Sequence, residues 1–270
     1  IRARNPLSVS INGGAAPRSN INNGSSQSTQ EVLIFGIPVT LPLSGEAQAL
    51  SGIAYSLGGE VGYRLDDKLD AQTFIWFSAF GETYGLSPEA QVLAPSAKGE
   101  DYAYATAELA LKQERRVNGE ATLGLGLAAG TIWTGGQPYY DYTRLNLDLS
   151  WERTGRHRLD AQSERQTAQS GGDPREINEV GWRSGWTTEA GNKISIGLRL
   201  TQSTSTNPNY AYEGYSANFS WAPEKPFLNG RWSLNGEVGE RSYAPSILLP
   251  APRTDQQASA RLSYRADGVE

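Results

Sequence analysis

The chain has 270 residues, no Cys, no Met and a formal charge of −5, long enough for one large domain or two small ones. The mean hydropathy of −0.50 and the absence of any apolar run of about 18 residues exclude transmembrane helices, but strands that alternate apolar with polar residues also average out as hydrophilic. Without Cys there are neither disulfides nor thiolate metal sites, and a diffuse acidic balance with no basic stripe argues against a nucleic-acid partner.

Read in chain order, Ile1-Arg2-Ala3-Arg4 has no apolar signal core, so the chain is expected to be a processed product or a fragment. The first strand is predicted over Asn5 to Gly13. A long link from Gly14 to Leu50 follows, and within Ser25 to Leu50 lies an apolar stretch, Val32 to Val39, poorly suited to free solution. Three readings of it stand side by side: a plug folded into a lumen, a strand extension above a membrane, or a docking site for a client.

From Ser51 onward the period is two. Ile53, Tyr55, Leu57, Val61, Tyr63 and Leu65 alternate with Ser56, Glu60 and Arg64. The pattern is cleanest over Asp141 to Thr154, where Leu145, Leu147, Leu149 and Trp151 alternate with Arg144, Asn146, Asp148 and Ser150. It recurs over Lys193–Thr201, Tyr215–Trp221, Trp232–Val238 and Ala258–Tyr264, and is weakest over His157–Ala168. The Gly-rich runs Gly58-Gly59 and Gly124-Leu125-Gly126 follow strand parity and open no helix, so close strand contact is expected rather than phosphate binding. About twelve such segments are counted.

The links alternate in length. Short ones are expected at Asp66-Asp67, Val117-Asn118-Gly119, Thr154-Gly155-Arg156, Ala190-Gly191-Asn192 and Pro223 to Pro226. Long ones are expected at Gly14–Leu50, Glu82–Glu100, Gly135–Asp141, Ser170–Glu176, Ser203–Asn209 and Ala244–Asp255. On the apolar parity near the short turns sit Tyr63, Trp151, Trp186, Trp221, Trp232 and Tyr264, the placement of an interfacial aromatic girdle. The fold class that unites these signals is all-β: a transmembrane antiparallel up-and-down β-barrel of the bacterial outer membrane, with short turns and both chain ends on the periplasmic side. Residues 1–270 form one barrel domain. Asp267-Gly268-Val269-Glu270 reads as a further short turn, so one more hairpin and about fourteen strands are expected for the complete barrel. Outer-membrane lipids, lipopolysaccharide included, are the implied surroundings.

Little in the sequence points to catalysis, and neither a cofactor nor a metal is implied. The single histidine, His157, is expected to be an exposed turn residue, and no Ser–His pair of a membrane phospholipase is evident. The candidate lumen-lining charges are Glu60, Arg64, Asp70, Glu108, Lys112, Arg144, Asp148, Arg183, Arg199, Glu237 and Arg261, mixed in sign.

The opening strand, the segment Ser19-Asn20-Ile21-Asn22-Asn23, the stretch Leu33-Ile34-Phe35-Gly36-Ile37-Pro38 and the Gly135-Gly136-Gln137-Pro138-Tyr139 loop resemble, in order, the C-terminal barrel of surface lipoprotein assembly modifiers. That resemblance implies a fourteen-stranded barrel behind a periplasmic helical-repeat domain and a role in moving lipoproteins to the cell surface. The chain departs from the family pattern in lacking the repeat domain and the last strands. Only Asn20, Asn22 and Asn23 carry over, as family markers without an assigned role. Three functions follow as expectations: a non-enzymatic translocon for lipoprotein clients, a diffusion pore or uptake channel, and an anchor subunit of a larger complex.

Overall fold

The computed structural model describes residues 5–34, 37–68, 70–117, 119–169, 173–226, 230–245 and 252–266. Twelve strands form one sheet: β1 (Leu7–Arg18), β4 (Gly52–Asp67), β5 (Ala71–Leu86), β6 (Tyr104–Arg116), β7 (Ala121–Thr134), β8 (Gln137–Glu152), β9 (Arg156–Ala168), β10 (Arg175–Thr187), β11 (Lys193–Ser205), β12 (Tyr212–Ala222), β13 (Gly230–Tyr243) and β14 (Arg253–Ala266). Two more, β2 (Thr29–Ile34) and β3 (Ile37–Pro42), pair with each other and, among the described residues, with no other strand. In the large sheet every strand beyond β1 neighbours the next in sequence, the up-and-down order of an outer-membrane β-barrel. The class and the twelve-strand count agree with the sequence reading.

Side-chain parity explains the strands. In β7, Leu123, Leu125 and Leu127 are exposed while Gly124, Gly126 and Ala128 are buried. The exposed residues of β1, β4, β8, β11 and β14 likewise include the expected apolar set, with Ile11, Leu57, Leu147, Leu198 and Leu262 among them. Leu57, at 66% exposure, illustrates a band of large apolar side chains that water does not favour and a bilayer does. Conventional cores are correspondingly small: Leu50, Ala90 and Ala94 form one, with Leu86, Ala97 and Tyr102 against it.

Two compact units divide the chain. The first comprises 1–63, 76–109 and 130–141, and the second comprises 64–75, 110–129 and 142–270.

Several boundaries differ from expectation. Strand β1 continues through Gly14-Ala15-Ala16-Pro17 to Arg18, so the first long link begins later than Gly14. Pro17 stands opposite Ile53 of β4, and among the described residues β1 pairs with no second strand whose ladder a proline would break. The link expected over Gly135–Asp141 is instead a two-residue turn, Gly135-Gly136, between β7 and β8. Both glycines have positive φ, 57° and 75°, the type I′ pattern that matches strand twist. Short links are found after β4, β6, β8 and β10, with the amide of Val117 donating to the carbonyl of Ala121 at 2.9 Å and that of Thr188 to Asn192 at 2.9 Å, whereas the link after β12, expected at Pro223 to Pro226, extends over 223–229 and is no shorter than those after β9 and β11. Asp70 lies in the link between β4 and β5 rather than on a strand face. The expectations for Ile1 to Arg4, Phe35-Gly36, Asn118, most of the links Ser170–Glu176 and Ala244–Asp255, and the turn Asp267–Glu270 fall wholly or partly outside the described residues.

Candidate functional site: the polar face of the strands and the Ser25–Leu50 loop

In the second unit the polar parity carries a continuous row of charges. Lys112 on β6 bridges Glu114 at 2.7 Å and Asp148 on β8 at 3.3 Å. Arg158 on β9 reaches Asp148 at 3.6 Å and Asp160 at 4.0 Å. Arg199 on β11 takes up Asp160 at 3.8 Å and Glu179 on β10 at 3.2 Å. Signs therefore alternate from Glu114 to Glu179. A second group centres on Glu164, only 5% exposed: Arg144 Nε donates to it at 2.7 Å, Gln166 donates to its other oxygen, and Arg175 donates to Gln166. The Arg144 guanidinium also lies 5.0 Å from the centroid of the Tyr142 ring. A carboxylate this buried needs such partners, since burying it unpaired is costly.

Glycines make room for these groups. A Cβ on Gly124 would sit 2.5 Å from Asp148 Oδ1, and one on Gly181 would sit 2.8 Å from Asp160 Oδ2. Each carboxylate thus lies across a neighbouring strand's glycine, which is the close contact expected of the Gly124-Leu125-Gly126 run.

Of the sequence-derived candidates, Lys112, Arg144, Asp148 and Arg199 meet in these ion pairs, and Arg183, Glu237 and Arg261 line one recess of about 680 Å3 with Ser195, Asn218 and Asn235. Glu60 stands opposite Ser10 in the first unit. Arg64 and Glu108 also interact. The candidates missed were Arg158, Asp160, Glu164, Glu179, Glu114 and Arg175. The first three sit on the even parity of β9, whose thin apolar face obscured the pattern.

In the first unit the polar face is more aromatic. Arg18 pairs with Glu82 at 3.4 Å, Tyr84 Oη donates to Glu82 at 2.6 Å, and the Trp76 ring occupies the space a Cβ on Gly62 would need.

His157 corrects the sequence reading. It lies within β9, half-buried, with Nδ1 2.5 Å from Ser184 Oγ on β10, stacked on Trp151 at 5.3 Å and edge-on to Trp186 at 6.4 Å. A Ser–His pair therefore does exist on the apolar parity. Ser184 has no exposed surface, however, so its hydroxyl is enclosed beneath the aromatic belt instead of being offered to a substrate. The register sets His157 directly opposite Ser184, an across-strand relation that no sequence spacing displays. Of the expected girdle, Trp151, Trp186 and Trp221 each fall within one residue of a strand end and Trp232 packs on Tyr264 at 4.8 Å, whereas Tyr63 lies four residues inside the end of β4.

The loop Ser25–Leu50 is neither a plain coil nor an added strand of the large sheet. Its apolar stretch forms the separate hairpin β2–β3, in register from Thr29 opposite Pro42 to Ile34 opposite Ile37, and Ile37 is 65% exposed. The base of the hairpin is clasped by two of the three asparagines, Asn20 and Asn22. Asn20 donates to the Gly24 carbonyl at 2.8 Å and accepts from the Gly24 amide at 2.9 Å. Asn22 donates to the carbonyls of Glu46 and Gln48 at 2.8 and 2.7 Å and accepts from the amides of Leu50 and Gly24 at 2.9 and 3.3 Å. Asn23 adopts φ 52°, a left-handed conformation that asparagine tolerates. Close by, burial raises the Tyr102 phenol above its usual range, with the Glu46 carboxylate adding to the effect. Asn20 and Asn22 are thus structural ties, explained by the backbone each holds, and Asn23 supplies the left-handed turn between them and Gly24.

No protein-family model matches the chain. No curated protein matches it either. Among solved structures, it is similar to an outer membrane channel from Pseudomonas putida F1, at 12% identity and a TM-score of 0.50, over 96% of this chain and 93% of that one. The likeness establishes the fold, an outer-membrane β-barrel.

Proposed function

We propose that the protein is a non-enzymatic channel of the bacterial outer membrane that passes small polar solutes. The observation that carries this is the alternating row of charges from Glu114 to Glu179 on the parity opposite the exposed apolar band. Ion pairs of that kind satisfy their own charge while keeping a wall wettable, the lining of a hydrated bore. The similar solved structure, described as an outer membrane channel, supports the same reading. In this account the short links and both chain ends face the periplasm, and lipids, including lipopolysaccharide, contact the apolar parity. Reconstituting the purified protein in a planar bilayer tests it: discrete, reproducible conductance steps are expected, and a bilayer that stays silent contradicts it.

A second reading, export of surface lipoproteins, is favoured by the resemblance of the Asn20 to Asn23 segment and the hairpin that follows to surface lipoprotein assembly modifiers. Its test is the surface exposure of lipoproteins after deletion of the gene. Unchanged exposure sinks it.

A further inference from the structure

We propose that Arg183 and Arg261 form a subsite for small oxyanions on the polar face of β10–β14, which makes the channel prefer anionic solutes. The inference rests on the channel reading above. It starts from an energetic oddity: Arg183 stands directly opposite Arg158 in the β9–β10 register, and like charges directly across a ladder are destabilising. Arg158 is relieved by Asp148 and Asp160. Arg183 is not relieved in this way, since it has no ion pair among the described residues, and the same holds for Arg261.

The surroundings keep Arg183 open. Its neighbours on the same face of β10 are Gly181 and Gly185, and its partner on β11 is Gly197. The Asp160 carboxylate lies over Gly181 and the Asn218 amide over Gly197, and neither forms an ion pair or hydrogen bond with Arg183 among the described residues. The space beside it is the recess of about 680 Å3, whose other lining groups include Asn218, Asn235, Arg261 and the single carboxylate Glu237. Two unpaired guanidiniums against one carboxylate give a local positive excess in a chain whose formal charge is −5. Amides and hydroxyls around them, Ser195 and Ser220 among the latter, supply neutral donors. A planar fork of donors suits a carboxylate or a phosphate bidentately, and rings of Arg or Lys are how anion pores select.

The test is the reversal potential of single channels under a tenfold potassium chloride gradient. The wild type is expected to favour chloride over potassium by about threefold or more, and R183Q/R261Q to fall to a ratio of about 1. Inorganic phosphate and succinate, added separately, identify the oxyanion: whichever lowers wild-type conductance and spares the double variant is the class bound. R183K provides a second check, retaining anion preference while losing block by the oxyanion because a point charge replaces the fork. A wild-type channel that conducts but favours potassium, that is unchanged in R183Q/R261Q, or that neither oxyanion blocks overturns this proposal and leaves the channel reading standing. A silent bilayer removes both.

Discussion

Replacing Asn22 with alanine removes four hydrogen bonds to backbone groups at once, those from the amides of Leu50 and Gly24 and those to the carbonyls of Glu46 and Gln48. Their losses are unequal. Leu50 is fully buried, so its amide loses an acceptor that water does not replace, at about 1–3 kcal/mol. Glu46 is exposed and Gln48 half-buried, so their carbonyls regain solvent and each contributes about 0.5–1 kcal/mol. The sum is roughly 2–5 kcal/mol of local stability, confined to the first unit. Since 1.4 kcal/mol corresponds to a factor of ten, amide exchange over residues 46–50 is expected to accelerate by about 30-fold or more. Hydrogen exchange read by mass spectrometry on the detergent-solubilised protein measures this directly, with the strands β9–β14 as internal reference. Asn22→Asp is expected to behave similarly, because it keeps the acceptor but sets a carboxylate against two carbonyl oxygens. Asn20→Ala, which frees only exposed Gly24 groups, is expected to cost about 1 kcal/mol or less. Exchange at 46–50 within threefold of wild type in Asn22→Ala, or an acceleration spread evenly through β9–β14, refutes the reasoning.

Three further outcomes are expected. Leu147→Arg places a guanidinium on the apolar parity of β8 and should cost about 2–4 kcal/mol in urea-titrated folding into vesicles, whereas Asn146→Arg on the opposite parity should cost far less. Gly62→Val drives a side chain into the Trp76 ring, where even a Cβ would lie 2.1 Å from Cζ3, and should destabilise by about 1–3 kcal/mol, seen as a lower melting temperature and a changed tryptophan spectrum. Ser184→Ala leaves His157 Nδ1 without its partner beneath the aromatic belt and should cost about 1–2 kcal/mol. A double-mutant cycle with His157→Phe, which keeps the stack on Trp151, should show coupling of similar size.

The wall was legible because its pattern is local. A strand with one oily and one wet face repeats every two residues, so Leu145 to Trp151 declared both the strand and its orientation without reference to any neighbour. Where side chains are small the signal vanished: Gly14-Ala15-Ala16-Pro17 gave no alternation and read as loop, although it completes β1. Gly135-Gly136 carried the chemistry of a tight turn, but the polar Gln137-Pro138 that follows looked like more loop. The charges on β9 were hidden because only Leu159 and Ala161 marked its apolar side. What joins distant segments could not be read at all. Neither the tie from Asn22 to Leu50 nor the contact of His157 with Ser184 has any signature in spacing, since both arise from pairing between strands or loops that sequence leaves unplaced.

The most direct test of the account is a cysteine scan of β8, made clean by the absence of native cysteine. Single cysteines at positions 144 to 151, each spin-labelled in reconstituted vesicles, report contact with lipid through dissolved oxygen and contact with water through a soluble nickel chelate. Labels at 145, 147, 149 and 151 are expected to respond to oxygen, and those at 144, 146, 148 and 150 to the nickel reagent. A uniform response along the strand, or alternation with the two parities exchanged, contradicts a membrane barrel with an aqueous lumen.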